Sequence, residues 1–181
     1  MQRVAIRKAT PGDFEAICAL NLAAVQHTSP MSAARLSALD DISCYHRVGC
    51  ADGHVSAFLL AMCSGAPYEN DNFEWFARRY PCFIYVDRIV VSSACGGLGL
   101  GSLLYEDLFR HARCNGIPFV TCEYNIVPAN EPSRRFHKKF GFTEQGTQWL
   151  AHGTKHVSLQ AAATRQPHEA QRAQSSTPTR S

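Results

Sequence analysis

The sequence lacks the features that would mark a membrane, secreted or nucleic-acid-binding protein. No apolar run approaches the roughly 18 residues of a membrane helix, and the N-terminus has no apolar core of a signal peptide. The formal net charge is only +3, whereas nucleic-acid binding requires a concentrated basic face. We therefore expect a cytoplasmic protein that binds neither a membrane nor nucleic acid.

The cysteines also lack a pattern. None of the eight cysteines forms a C-x-x-C pair, which is the usual spacing of zinc and redox motifs. Several lie within strand-like or helix-like segments, as is typical of small buried hydrophobic residues. The sequence therefore predicts neither a disulfide framework nor a metal site.

Length and composition favour a single domain. A chain of 181 residues with 45% hydrophobic residues supplies enough apolar surface for one core. The last segment is rich in Gln, Ser, Thr, Pro and Arg and has no large apolar residue, so it cannot offset the entropy of ordering. We predict one domain over residues 1–160 and a disordered tail over residues 161–181.

Local patterns predict alternating strands and helices. Thr10 and Pro11 are typical of a helix start, and Asp52-Gly53 favours a two-residue hairpin between two strands. Phe83 to Val91 is a near-continuous apolar run, as in a central strand. The remaining helices are predicted at about 32–39, 73–80, 100–114 and 132–140, and the remaining strands at 3–8, 119–124, 142–147 and 155–160.

A glycine run, Gly96-Gly97-Leu98-Gly99-Leu100-Gly101, lies between the central strand and an amphipathic helix. This succession places backbone N–H groups at a helix N-terminus, where they attract phosphate. No Lys-Ser or Lys-Thr follows, which excludes a Walker loop. Ser102 stands where a dinucleotide fingerprint requires glycine. A nucleotide-dependent oxidoreductase is thus a weaker alternative, and a tight turn without a ligand is another.

Two blocks resemble motifs of the GNAT acyltransferase superfamily. Residues 87–104 are similar to its acetyl-CoA motif, whose core is [Q/R]-x-x-G-x-[G/A], and residues 130–142 are similar to N-x-x-A-x-x-F-Y-x-x-x-G-F. The resemblance covers roughly residues 3 to 160. It implies an α/β (α+β) GNAT fold, with a mixed sheet of about six to seven strands, four or so helices on both faces, and strands 4 and 5 splayed. Gly96 departs from the usual Gln or Arg, and His137 departs from the usual tyrosine.

The resemblance implies that acetyl-CoA is the co-substrate. Three strand residues would line its pantetheine arm: Ile89, Val90 and Val91. The residues that would hold its diphosphate are Gly96, Gly97, Leu98, Gly99, Leu100, Gly101 and Ser102. Asn130 and Phe136 would approach the arm from the other side, although Asn130 also fits the N-cap of a helix.

Acyl transfer to an amine requires a proton acceptor and a proton donor. Asp87 interrupts an apolar strand and is the candidate base, the alternative being a structural ion pair with Arg88. His137 is the candidate general acid, because an imidazole with a reference pKa of about 6.5 can donate a proton at neutral pH. Its alternative is a solvated histidine on a basic helix face.

A polar and aromatic loop is expected to border the acceptor pocket. Its candidate substrate residues are Tyr68, Glu69 and Asp71, and Asn21 on the first helix is a further candidate. The sequence therefore predicts an N-acetyltransferase acting on a primary amine of a small molecule or peptide. The alternative is a non-catalytic acyl-CoA sensor of the same fold. Exposed edge strands near the C-terminus are compatible with a homodimer.

Overall fold

In the computed structural model, which describes residues 3–26 and 28–164, one mixed sheet carries helices on both faces. The strands are β1 (Val4–Lys8), β2 (Tyr45–Ala51), β3 (His54–Cys63), β4 (Ile84–Val91), β5 (Phe119–Val127), β6 (Thr143–Leu150) and β7 (Lys155–Ala163). The helices are α1 (Phe14–Ala23), α2 (Ala33–Ile42), α3 (Asp71–Ala77), α4 (Leu100–Cys114) and α5 (Glu131–Lys139). This is the predicted architecture, with seven strands and five helices.

The strands are arranged in the order β1-β2-β3-β4-β5-β7-β6. Neighbouring strands are antiparallel except β4 and β5, which are parallel. The Asp52-Gly53 turn joins β2 to β3, and both of its residues have a positive φ. That conformation suits the predicted two-residue hairpin.

The parallel pair separates soon after it begins. Its ladder contains only Ile84 opposite Val120 and Tyr85 opposite Thr121, so most of both strands runs without a partner across the gap. Each of the two strands has a register shift in the pairing with its outer neighbour: Asp87 of β4 is skipped in the pairing with β3, and Ile126 of β5 is skipped in the pairing with β7. Such bulges bend a strand and increase its twist. The predicted splaying of strands 4 and 5 is confirmed.

The sheet has a separate apolar core on each face. One core packs α1, α2 and α3 against the sheet through side chains such as Leu36, Phe76 and Tyr85. The other packs α4 and α5 against the opposite face through Leu104, Tyr105 and Phe142. The gap between β4 and β5 is therefore approached by different helices from its two sides.

Several element boundaries differ from the prediction by a few residues, and two of these differences, at α3 and β7, have a clear cause. α3 begins at Asp71, earlier than expected, because the Asn70 side chain accepts hydrogen bonds from the N–H groups of Asn72 and Phe73. β7 continues to Ala163, so the prediction of disorder from residue 161 is wrong for its first residues. Small side chains suffice there, because Ala161, Ala162 and Ala163 pair with β5.

The prediction for residues 165–181 lies outside the described residues. Within the described part of the chain, no helix has the length and apolar character needed to cross a membrane.

Candidate active site

A cavity of about 520 Å³ occupies the gap between β4 and β5. β4 contributes residues 86–91 to its lining and β5 contributes residues 122–125. The cavity has two halves. The cofactor half faces α4 and α5, with the lining residues Val90, Val91, Gly101, Asn130, Ser133, Phe136 and His137. The acceptor half faces the opposite side, with the lining residues Tyr68, Asn70, Asn72, Asp87, Glu123, Leu150 and Lys155.

The glycine run forms the loop that leads from β4 into α4. Gly97 and Gly99 have φ values of +84° and +74°, a region that only glycine adopts readily. Gly99 is the N-cap of α4. Leu98 is partly buried and Leu100 is fully buried in the core on that face, so this loop presents its backbone to the outside.

Several N–H groups of the loop are available to a ligand. The amides of Gly97, Gly99 and residues 100–102 have no hydrogen-bond acceptor in the part of the chain that is described. These donors lie at the N-terminus of a 15-residue helix, where the helix dipole also favours an anion. The loop therefore has free N–H donors where the sequence predicts a diphosphate site, and the binding itself stays a prediction.

The loop glycines also allow a close approach between helices. A Cβ at Gly101 would meet the Phe136 ring and the Val91 side chain at 3.4 Å. Gly96 is different, since its φ of −57° is ordinary and a Cβ there would meet only the Ser93 carbonyl oxygen, also at 3.4 Å. The missing Gln or Arg side chain at Gly96 is therefore not a consequence of crowding.

A cation beside the loop was not predicted from the sequence. The Nζ atom of Lys139, at the end of α5, donates to the Ser102 hydroxyl at 3.1 Å. This places a positive charge beside the N-terminus of α4, next to the amides of the glycine loop. Asn130 caps α5 by accepting a hydrogen bond from Ser133 N–H at 3.2 Å. Its capping role is confirmed, and its contact with a pantetheine arm stays a prediction.

Asp87 is almost fully buried, with both carboxylate oxygens occupied. One oxygen accepts from the Tyr68 hydroxyl, and the other pairs with Arg88 Nε at 2.6 Å. The alternative of a structural ion pair with Arg88 is thus present. Arg88 also donates to the side-chain oxygen of Asn21 at 3.0 Å.

Three of the four predicted acceptor residues lie away from the cavity. Asn21 is buried and supports Arg88 without lining the cavity, while Glu69 and Asp71 are exposed to solvent. Tyr68 does line it. The loop turns its intervening residues inward, so that Asn70 and Asn72 occupy the positions expected for the acids.

The structure corrects both interpretations of His137, as a general acid and as a solvated histidine. It is buried, which excludes the solvated alternative, and burial lowers its pKa to about 4, so the ring is neutral at neutral pH. Its Nδ1 lies 2.7 Å from the Ser133 carbonyl oxygen, which can only accept. Its Nε2 therefore accepts from the Tyr105 hydroxyl at 2.8 Å. An imidazole held in this way is a poor proton donor.

Glu123 is the acid in the cavity that the sequence did not single out. It lies on β5, and burial raises its pKa to about 7, with the Asp87 charge adding to the increase. The Tyr85 hydroxyl donates to its Oε2 at 2.7 Å and lowers the pKa in part. A carboxyl group that titrates near neutrality is suited to general-base catalysis. The signal was available, since Glu123 interrupts an apolar strand just as Asp87 does.

The residue after Glu123 faces the other half of the cavity. Tyr124 stacks on His137 with ring centroids 5.8 Å apart, and its hydroxyl accepts from Gln160 Nε2 at 3.4 Å. The hydroxyl proton of Tyr124 has no acceptor among the described residues. A tyrosine of β5 thus lies beside the position where the family motif has its own tyrosine.

The comparisons agree with this geometry. The family model "Acetyltransferase (GNAT) family" matches residues 16–142. The chain therefore belongs to the GNAT acetyltransferase family, as its motifs indicated. No curated protein matches it in sequence.

Solved structures show the same fold at low identity. Ard1 from Thermoplasma volcanium is 17% identical with a TM-score of 0.72, over 90% of this chain and 99% of that one. The ribosomal-protein-S18-alanine N-acetyltransferase of Escherichia coli is 14% identical with a TM-score of 0.69, over 91% and 96%. The yncA structure from Salmonella typhimurium, with its cofactor acetyl-CoA, is 21% identical with a TM-score of 0.67, over 91% and 95%.

Proposed function

We propose that this protein is an N-acetyltransferase that moves the acetyl group of acetyl-CoA to a primary amine of a small molecule or peptide. The observation that carries the proposal is the continuous cavity between the splayed strands. It joins free amides at the start of α4 to a buried carboxyl group with a pKa of about 7. The acetyl-CoA in a structure of the same fold supports the choice of co-substrate.

The cofactor half would bind acetyl-CoA through the backbone. The N–H groups of Gly97, Gly99 and residues 100–102 hold the diphosphate, assisted by the Lys139 charge. The edge of β4 that faces the gap has unpaired backbone groups beyond Tyr85. These groups bond the pantetheine arm as an added strand would, which directs the thioester toward the centre of the cavity.

Glu123 acts as the general base in this proposal. Its ionised carboxylate takes a proton from the acceptor's ammonium, and the neutral nitrogen attacks the thioester carbonyl carbon. A C–N bond forms, a tetrahedral oxyanion appears, and a backbone N–H of β4 that faces the gap stabilises it. Asn70 and Asn72 provide polar contacts for the amine in the same half.

Collapse of the intermediate breaks the C–S bond, and the departing thiolate requires a proton. The attacking nitrogen releases its second proton to solvent, from which the proton donor is restored. We assign that proton to the Tyr124 hydroxyl, which lines the cavity and has a free proton. Replacing Tyr124 with Phe should lower kcat and leave the Kd of acetyl-CoA unchanged. An unaltered kcat for this variant would remove Tyr124 from the mechanism.

Two measurements on the wild-type protein test the function itself. Calorimetry with acetyl-CoA should show binding, and a thiol-release assay over a panel of primary amines should show CoA production with at least one of them. Binding without release on any amine would favour the acyl-CoA sensor. Absence of binding would contradict both.

A further inference from the structure

The charged groups of the acceptor half differ in whether they have an ion-pair or hydrogen-bond partner. Asp87 and Arg88 neutralise each other in a buried ion pair. Glu123 shares a hydrogen bond with Tyr85. Lys155 also lines the cavity, yet in the described part of the chain its ammonium group has neither an ion pair nor a hydrogen bond. It is the cation of this half that is available to a ligand.

The sheet register places Lys155 and Glu123 on the same face. Glu123 is opposite Leu159 on β7, and Lys155 precedes Leu159 by four residues. Because side chains alternate along a strand, residues four apart point to the same side. At a rise of about 3.3 Å per residue, their backbone positions differ by about 13 Å along the strand. The long lysine side chain spans part of this distance.

The environment of Lys155 is suited to holding one negative charge. Leu150 is its partner on β6 and lines the cavity beside it, so one side of the ammonium group is apolar. Its charge is close enough to Glu123 to lower the pKa of that carboxyl group. A phosphate dianion usually engages several donors, whereas a carboxylate can be held by a single ammonium group.

We propose that the acceptor is an amine that also carries a carboxylate, with Lys155 binding the carboxylate while the amine lies against Glu123. This inference rests on the proposed acetyltransferase function and specifies its substrate class. A dipeptide extends at most about 7 Å. This length suits the distance that remains between the Lys155 ammonium group and Glu123 once the lysine side chain has spanned part of the way. The carboxylate belongs either to a free small molecule or to an acidic side chain near a peptide N-terminus.

The test compares acceptors that differ only in the carboxylate. One pair is Gly-Gly and its C-terminal amide, and the other is a C-terminally amidated peptide beginning Ala-Glu and its Ala-Gln counterpart. The wild-type kcat/KM should be at least about tenfold higher for the carboxylate member of one pair, the size of one charge-assisted hydrogen bond. Lys155→Gln should abolish that preference. The control Lys8→Gln, on an exposed residue of β1, should keep it.

The ratio of the two kcat/KM values within a pair of acceptors separates recognition of the carboxylate from effects on catalysis. Loss of the Lys155 charge also raises the pKa of Glu123, but that change affects both members equally and cancels in the ratio. A preference in the Gly-Gly pair identifies a small-molecule acceptor, and one in the Ala-Glu pair identifies a peptide. Calorimetry of the same acceptors in the presence of CoA gives a second readout.

Two results would overturn the inference. One is equal kcat/KM and equal binding within both pairs for the wild-type protein. The other is a preference that Lys155→Gln leaves intact. Failure of the proposed function looks different, because then no amine would be acetylated, while binding of the carboxylate members would still report on Lys155.

Discussion

The cofactor half of the cavity is built from backbone N–H groups of one loop, whereas the acceptor half is built from side chains that several distant segments contribute. The first is a local structure of one loop, residues 97–102, at the start of α4. The second draws Tyr68, Asn72, Glu123 and Lys155 from three separate segments. Substitutions in the cofactor half should therefore affect acetyl-CoA binding, and substitutions in the acceptor half should affect catalysis and acceptor recognition.

The largest effect is expected at Glu123. Glu123→Gln keeps the shape and the hydrogen bond from Tyr85 but removes the base, so kcat/KM should fall by about 10²–10⁴-fold. The Kd of acetyl-CoA should stay unchanged, because the cofactor half is intact. Stopped assays of CoA release and calorimetry measure the two quantities. The matched control is Glu69→Gln, on an exposed residue outside the cavity, which should leave both unchanged.

A substitution of Asp87 tests which of the two acids in the cavity is the general base. Asp87→Asn should reduce activity less than Glu123→Gln, because the Asp87 oxygens are held by Tyr68 and Arg88. A loss as large as that of Glu123→Gln, with acetyl-CoA binding intact, would assign the base to Asp87 instead.

The next effect concerns the glycine loop. Gly99→Val forces a branched side chain into a φ of +74°, which costs about 1–2 kcal/mol and disturbs the amides around it. The Kd of acetyl-CoA should rise by about tenfold. Gly53→Val is the control, since its φ of +84° is similar and no atom lies near its Cβ position, but its turn is remote from the cavity. It should lower stability and leave the Kd unchanged, and an equal Kd change in both variants would contradict the division.

The smallest effect is a shift in the pH profile. Glu123 works as a base when ionised, so kcat/KM should fall as pH decreases through about 7. The Tyr85 hydroxyl lowers that pKa by its hydrogen bond, so Tyr85→Phe should raise it and move the acid limb to higher pH by about one unit. Asp87→Asn removes a charge that raises the pKa and should move the limb to lower pH. If the acid limb moves in neither variant, the pH dependence of kcat/KM does not arise from the ionisation of Glu123.

The same division explains what the sequence could predict. The glycine loop, the parallel strand before it and the helix after it are contiguous, so their pattern is visible in the residues and the fold follows. The acceptor half depends on which side chains of a loop and of four strands meet in space. The polar loop at residues 68–72 was recognised, but which of its residues face inward is fixed by the Asn70 cap of α3. Lys155 carried no local signal, because its place depends on the register between β5 and β7.

His137 shows a related limit. Its position after Phe136 was recognised, but its protonation depends on burial and on Tyr105, which comes from α4. A long-range contact thus changed a residue expected to donate a proton into a neutral acceptor of a hydrogen bond.

A crystal structure with bound CoA tests the central claim most directly. We expect the diphosphate on the backbone N–H groups of Gly97, Gly99 and residues 100–102, and the pantetheine arm along β4 beyond Tyr85. The sulfur should lie in the gap between β4 and β5, beside Glu123 and Tyr124. Ligand bound outside the gap, with those N–H groups free, would contradict the assignment of both halves.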